Sequence, residues 1–145
     1  MQQKKGQKGF SLIELLIVVA IIGIIAAIAI PNLLEARKAA NESSAKTSLR
    51  TIGTAQTNYL SAYGNNTDYA VDLDALATPK LIDDALASGT KSGYTITMTG
   101  GVGTYVSNAN PTGTSTGTNR FFSDESGVIR FNATAAAAVT DAPIQ

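Results

Sequence analysis

An acidic side chain lies inside an otherwise apolar segment near the start of the chain. From Phe10 to Ile30 the sequence reads FSLIELLIVVAIIGIIAAIAI, and Glu14 is its only ionisable side chain. The run is long enough to cross the hydrocarbon core of a bilayer, which takes about 20 residues. A carboxylate at the centre of such a helix costs about 2.5–3.5 kcal/mol, so the sequence predicts a functional acid that has a cationic partner.

The nine residues before this segment indicate where the cation comes from. They read MQQKKGQKG and carry three lysines without an acid, which is the charge bias that keeps one end of a membrane helix in the cytoplasm. Cleavage between Gly9 and Phe10 would create a free amine four residues before Glu14. In a low-dielectric surrounding this ammonium group and the carboxylate attract each other strongly. Cleavage at this bond therefore accounts for both the leader and the acid.

Two plainer interpretations of the apolar segment are a secretory signal peptide and a signal anchor. The segment is longer than the 7–15 apolar residues of a signal peptide, and it continues into Pro31 and a helical pattern, which disfavours removal of the whole segment. A signal anchor that holds a non-polymerising periplasmic binding module remains an alternative. It leaves Glu14 without a role.

The stretch GFSLIE at residues 9–14 resembles the processing motif of type IV pilins and of the pseudopilins of type II secretion. The resemblance continues to Pro31, where pilin helices carry a helix-breaking proline. It implies that a membrane prepilin peptidase cuts after Gly9 and methylates the amine of Phe10. It also implies that Glu14 neutralises a Phe10 amine during assembly. On this resemblance the chain is a structural subunit and not an enzyme, and it needs no cofactor.

The same resemblance implies the partners and the location. The chain would polymerise with its own copies into a type IV pilus that serves adhesion, twitching motility, DNA uptake or biofilm formation. Its other partners would be the prepilin peptidase, an inner-membrane assembly platform with its ATPase, and the inner membrane itself. The precursor would be a single-pass inner-membrane protein with a cytoplasmic N-terminus, and the assembled form would lie on the cell surface.

A major pseudopilin of a type II secretion system is the alternative function, with a short periplasmic fibre in place of a surface pilus. The major pseudopilins bind calcium in a C-terminal loop, and Asp124 and Glu125 offer oxygens in such a place. The chain contains no tryptophan and lacks the tryptophan-containing stretch of that subfamily. We therefore interpret the two acids as part of a polar turn and expect no metal site.

Composition limits the remaining functions. The 145 residues include no cysteine and no histidine, which excludes a disulfide, a Cys/His metal site and an imidazole general base. Eleven basic residues balance eleven acidic ones, and removal of the three leader lysines leaves eight against eleven, a net charge of −3. This balance gives no support to DNA binding, which needs excess positive charge. We interpret the remaining basic cluster as a solvated or neighbour-facing helix side: Arg37, Lys38, Lys46 and Arg50.

The sequence predicts an α+β fold in which one long N-terminal helix packs on an antiparallel sheet of about four strands. We divide it into a leader (1–9), a membrane or filament-core helix (10–30), an amphipathic helix (31–63) and a globular region (64–145). Pro31 and Gly23 predict a kink or a short melted stretch between Ile25 and Pro31. Spacings of four and three predict one buried helix stripe: Ala45, Leu49, Ile52, Gln56, Tyr59 and Tyr63.

The globular region changes period along its length. Two short helices, separated by Pro79, are predicted at 72–77 and 81–87. Period-two alternation predicts a strand near 94–98, and a glycine turn after it predicts the next strand at 104–107. A polar turn that contains glycine predicts a hairpin of strands at 120–122 and 128–131. The Gly/Ser/Thr-rich stretch 108–119 predicts a flexible loop. The last residues either cross back over the sheet or fray.

Overall fold

The computed structural model describes residues 9–144, which form three helices and five strands. The helices are α1 (Leu12–Ala62), α2 (Leu73–Ala77) and α3 (Asp84–Ala87). The strands are β1 (Thr90–Lys91), β2 (Tyr94–Gly100), β3 (Tyr105–Pro111), β4 (Arg120–Asp124) and β5 (Arg130–Asn132). These residues belong to two compact units, of which the first ends at Glu35 and the second begins at Ala36.

Helix α1 continues without a break across Pro31. The melted stretch that we expected between Ile25 and Pro31 is therefore wrong for this structure. Proline removes one backbone donor, and the loss of one bond within a 51-residue helix leaves the bonds on either side intact. The side-chain amide of Asn32 also donates to the carbonyl oxygen of Ile28 at 3.1 Å, which adds a local bond beside the proline.

Beyond Ala36, α1 buries one stripe against the sheet. The predicted stripe is confirmed at four of its six positions, which are at most 1% exposed: Ala45, Leu49, Ile52 and Gln56. Tyr59 packs at the margin of the core. The prediction was wrong for Tyr63, which is 56% exposed. Its ring lies beside the Tyr59 ring, 5.6 Å away between centroids. Tyr63 lies where α1 ends, so no sheet residue covers it.

The five strands form one antiparallel sheet in the order β1-β2-β3-β4-β5. Our expectation of about four strands missed β1, a two-residue edge strand that pairs with the start of β2. It was also wrong for 108–111, which we expected to be a flexible loop and which forms the second half of β3. All seven residues of β3 pair with β2, so the partner strand holds a segment whose composition alone predicts a loop.

The segment between α1 and β1 is fastened to the helix by a buried amide. Gln56 is fully buried, and its Oε1 accepts a hydrogen bond from the Ala70 N–H at 2.8 Å, while its Nε2 donates to the Ala70 carbonyl at 3.0 Å. Asp72 and Asp83 cap the short helices α2 and α3 by accepting from backbone N–H groups in the first turn. These polar contacts position the segment over the edge of the core.

The C-terminal tail crosses back and pairs with the last strand. The Ile144 N–H donates to the Ile129 carbonyl at 2.8 Å, and the Phe131 N–H donates to the Ala142 carbonyl at 3.2 Å. These two bonds cover the outer edge of β5, which would otherwise present unpaired backbone groups.

Candidate functional site

The apolar segment at the start of α1 is covered by no other part of the described chain. Its large apolar side chains from Phe10 to Ile30 are all between 49% and 91% exposed. By length and composition this part of α1 is able to cross a membrane, although no membrane is present. An apolar surface of this extent is unstable in water and needs lipid or protein to cover it.

Glu14 lies at the N-terminus of this helix and has a local partner. Its Oε2 accepts a hydrogen bond from the Ser11 N–H at 2.9 Å. Because α1 begins at Leu12, Ser11 occupies the N-cap position and Glu14 the third helical position, so this contact is one of the two bonds that make up a capping box. The carboxylate also lies at the positive end of the helix dipole. Glu14 therefore has one structural role that does not depend on any other chain.

The second carboxylate oxygen of Glu14 makes no hydrogen bond to any of residues 9–144. Oε2 is bonded to the backbone nitrogen of Ser11, and the next backbone nitrogen towards the N-terminus is that of Phe10. The carboxylate is consequently located at the end of the helix where an amine on Phe10 would be created. Phe10 and Gly9 are exposed and precede the first helical residue, so the bond between them is accessible. The leader residues Met1–Lys8 lie outside the described residues.

Reasoning from the sequence missed Ser11. The signal was present, because a serine followed three residues later by a glutamate at the start of an apolar run is the pattern of a capping box. We interpreted the acid only as half of an ion pair. The structure brings Ser11 and Glu14 together. Pro31 is not part of this site, because it lies 17 residues beyond Glu14 along α1.

A second residue that the sequence did not single out is Glu42, which holds the loop between β3 and β4. Its Oε1 accepts from the N–H groups of Thr118 and Asn119 at 2.9 and 3.0 Å, and its Oε2 accepts from Asn119 Nδ2 at 2.9 Å. The Asn41 amide donates to the Thr116 carbonyl at 2.8 Å beside it. We call these contacts the Glu42 clamp. It joins positions 75 to 77 residues apart in a chain that has no disulfide.

The Glu42 clamp favours the ionised carboxylate. Partial burial opposes ionisation, but the N–H groups of Asn119 and Thr118, the Asn119 amide and the nearby Lys46 together hold the pKa of Glu42 below its usual 4.5. Next to the clamp, Gly117 is buried against the Tyr94 ring, and a side chain there would overlap that ring. The Tyr94 hydroxyl donates to the Asn119 carbonyl at 2.8 Å. The loop is thus fixed from both the helix and the sheet.

The acidic turn after β4 is organised by its own hydrogen bonds. Asp124 Oδ1 accepts from the N–H and the hydroxyl of Ser126, and Glu125 Oε2 accepts from the Thr104 hydroxyl at 2.8 Å. Within residues 9–144 no three Asp, Glu, Cys or His side chains are grouped as metal ligands would be. The contacts are those of a polar turn.

Comparison with known proteins identifies the family. A family model described as the prokaryotic N-terminal methylation motif matches residues 4–30. The type IV wide pilus major component PilA4 of Thermus thermophilus is 39% identical over 93 residues, which cover 62% of this chain and 71% of that protein. The chain belongs to the type IV pilin family. The 93-residue match to PilA4 is longer than the processing motif, so it extends into the body of this pilin.

Two further relatives support the assignment over shorter spans. The type IV major pilin protein PilA of Myxococcus xanthus is 48% identical over 66 residues, which are 46% of this pilin but only 30% of the relative's length. A fimbrial protein of Pseudomonas aeruginosa is 82% identical over 28 residues, 19% of this pilin and 18% of the relative. No solved structure matches this pilin. The α+β architecture, with a long N-terminal helix and an antiparallel sheet, is accordingly established by the present structure.

Proposed function

We propose that this pilin is a structural subunit that polymerises through Phe10–Ile30 into a type IV pilus. The observation that carries the proposal is the exposure of the large apolar side chains of this segment, which has one acid near its start. Burial of apolar surface is worth about 25 cal/mol per Å², so packing of this segment against its counterparts in other copies would dominate filament stability. The related proteins of Myxococcus and Thermus are described as major components of type IV pili, which favours a pilus.

Processing precedes assembly in this proposal. A prepilin peptidase cuts the exposed bond between Gly9 and Phe10 and methylates the new amine. The precursor spans the inner membrane once, with its lysine-bearing leader in the cytoplasm. An assembly platform and an ATPase extract the processed helix from the membrane, since nothing in the chain itself supplies that energy.

In this proposal Glu14 determines the axial position at which one copy docks on another. In the subunit one of its oxygens accepts from the Ser11 N–H, and the other makes no hydrogen bond within residues 9–144. Inside a filament an unpaired charge would cost several kcal/mol, because both the amine and the carboxylate leave water. An incoming copy is therefore favoured at the axial position where its Phe10 amine meets a Glu14 already in the fibre. Pro31 weakens the helix at the end of the same packed segment.

The test separates the charge of Glu14 from its capping bond. Glu14→Gln keeps an oxygen that accepts from the Ser11 N–H but removes the charge, whereas Glu14→Leu removes both. Electron microscopy and quantification of sheared surface fibres should show a sharp loss for both variants. Glu125→Gln, which changes an exposed acid of the globular unit, should leave the yield unchanged. Normal yield from Glu14→Gln together with low yield from Glu14→Leu would show that capping, and not charge, is what matters.

The pseudopilus alternative gives a different phenotype. A strain without this gene would lose secretion of exported proteins, and wild-type cells would carry no surface fibres containing this chain. The non-polymerising binding module gives a third result, in which the recovered protein keeps its leader. Surface fibres that contain the chain exclude both alternatives.

A further inference from the structure

Two parts of the globular unit carry opposite net charges of equal size. In α1 beyond Ala36, one acid, Glu42, stands against four basic residues: Arg37, Lys38, Lys46 and Arg50. In residues 64–91, two lysines stand against five aspartates, all of them exposed: Asp68, Asp72, Asp74, Asp83 and Asp84. The net charges are therefore +3 and −3, so a basic and an acidic surface occur on the same subunit.

These two surfaces do not neutralise each other within the subunit. The ion pair between Lys91 Nζ and Asp83 Oδ2, at 3.1 Å, joins two residues of the acidic segment. The carboxylates of Asp74 and Asp84 make no hydrogen bond or ion pair within residues 9–144. The same is true of the exposed guanidinium of Arg50. Both surfaces thus keep charges that no described residue pairs with.

Lys46 and Arg50 lie on the side of α1 that faces β4. Their spacing of four residues places them on one face of the helix. Lys46 is close to Glu42, which holds the loop before β4, and Arg50 lines a cleft together with Ser123 of β4. Glu125 lines the same cleft, but among the described residues it makes no ion pair with Arg50. We call Lys46 and Arg50 the basic flank.

Asp74 and Asp84 lie towards the other edge of the sheet. Asp74 belongs to α2 and lines a hollow beside β2. Asp84 begins α3, whose N-cap residue Asp83 pairs with Lys91 of the edge strand β1. Since the strand order is β1-β2-β3-β4-β5, this acidic flank, Asp74 and Asp84, is at the β1 edge, and the basic flank is on the β4 side.

The separation of the two flanks determines what kind of contact they suit. Flanks on different sides of one molecule meet only between copies. A contact between two different surfaces is heterologous, and its repetition gives rings or open helical filaments, not a two-fold dimer. Complementary charges select the partner and its orientation more than they add affinity. Opposite flanks on one subunit therefore match the needs of a helical homopolymer.

We propose that in the fibre the basic flank of one copy contacts the acidic flank of a neighbouring copy. Lys46 and Arg50 then pair with Asp74 and Asp84 of the next subunit. This inference rests on the proposed polymerisation and adds to it a contact between globular units. The apolar segment supplies the buried area, and the flanks determine which sides of two subunits face each other.

The test reverses the charge of each flank separately and then of both together, in the full-length protein in cells. Lys46→Glu with Arg50→Glu brings acid against acid, and Asp74→Lys with Asp84→Lys brings base against base. Each pair of changes should reduce the yield of sheared surface fibres by about tenfold or more, because juxtaposed like charges are strongly unfavourable. All four changes together restore opposite charges across the contact and should recover most of the yield.

A matched control separates the position of a charge from the net charge of the subunit. Lys80→Glu makes the same change of charge as Arg50→Glu, but at an exposed residue of the acidic segment. It should leave the fibre yield unchanged. Near-UV circular dichroism of each detergent-solubilised variant should match the wild type, since none of the four flank side chains makes a hydrogen bond within residues 9–144.

The outcomes distinguish this contact from polymerisation itself. Wild-type fibres whose yield neither reversal reduces would overturn the contact and leave polymerisation through the apolar segment intact. Failure of the fourfold variant to recover, although each double variant is folded, would show that the two flanks do not face each other. An equal loss with Lys80→Glu would show that net charge and not position is responsible, which also overturns the contact. The absence of fibres from the wild type would overturn both proposals.

Discussion

The apolar segment from Leu12 to Ile30 and the stripe on α1 beyond Ala36 both lie on one helix, yet only the second is buried by the described part of the chain. The large apolar side chains of the first are at least 49% exposed, whereas Leu49 and Ile52 of the second are at most 1% exposed. Helix formation therefore does not distinguish the two regions. The difference lies in the partner, because the stripe has a sheet and the first segment has none within the described residues. We infer that the buried stripe stabilises the subunit, whereas the exposed apolar segment packs against lipid in the membrane and against other copies in the fibre.

Each of these two apolar surfaces contains one polar residue, Gln56 in the buried stripe and Glu14 in the exposed segment, and the two differ in how fully they are hydrogen-bonded. Gln56 is fully buried, and both ends of its amide bond to Ala70. Within residues 9–144, Glu14 is bonded through one oxygen, to the N–H of Ser11 three residues earlier. A polar group that is fully satisfied within the chain fixes the fold, whereas a carboxylate with one oxygen unbonded within the described residues is suited to a partner.

The largest expected effect comes from a matched pair of leucines. Leu49→Ala removes a buried side chain and should lower the free energy of unfolding of the globular unit by about 2–5 kcal/mol. Leu16→Ala, at a side chain that is 60% exposed, should leave that free energy unchanged and reduce fibre yield instead. Denaturant titration of the detergent-solubilised protein, followed by tyrosine near-UV circular dichroism, measures the first quantity. Equal destabilisation by both changes would show that the two regions are not independent.

A smaller effect is expected at the Glu42 clamp. Because the folded-state pKa of Glu42 is lowered, its contribution is fully present above its usual pKa of 4.5 and is lost as the pH falls through the folded value. Glu42→Gln should cost about 1 kcal/mol at pH 7, since the clamp is only partly buried. The variant should also lose part of the acid sensitivity of unfolding between pH 5 and pH 3. An unchanged pH profile in the variant would indicate that the clamp contributes nothing to stability.

The smallest expected change concerns the backbone before Pro31. The helix is continuous there in the subunit. Proline costs about 3 kcal/mol in a helix interior, so this turn is the weakest part of α1. We expect a filament map to show less regular helix just before Pro31 than the subunit does. Unbroken helical hydrogen bonding from Phe10 to the end of α1 in the filament would exclude a role for Pro31 in extending the fibre.

The sequence predicted the elements whose pattern repeats over several turns. The stripe from Ala45 to Gln56 and the alternating strand at 94–98 follow directly from periods of 3.6 and two. The sequence did not predict strand at 108–111, where the pairing with β2 overrides a loop-like composition. It also missed the Glu42 clamp, because a contact across more than 70 residues leaves no local pattern. At the candidate assembly site the motif was recognised, but the capping bond to Ser11 was not.

The most direct test of the account is the intact mass of the protein in its fibres. Surface filaments sheared from cells and dissociated in acid should give a single species that begins at N-methyl-Phe10 and lacks residues 1–9. The Gly9→Val variant should instead accumulate in the membrane at the mass of the full precursor and give no fibres. A chain recovered from assembled filaments with its leader intact would contradict the account.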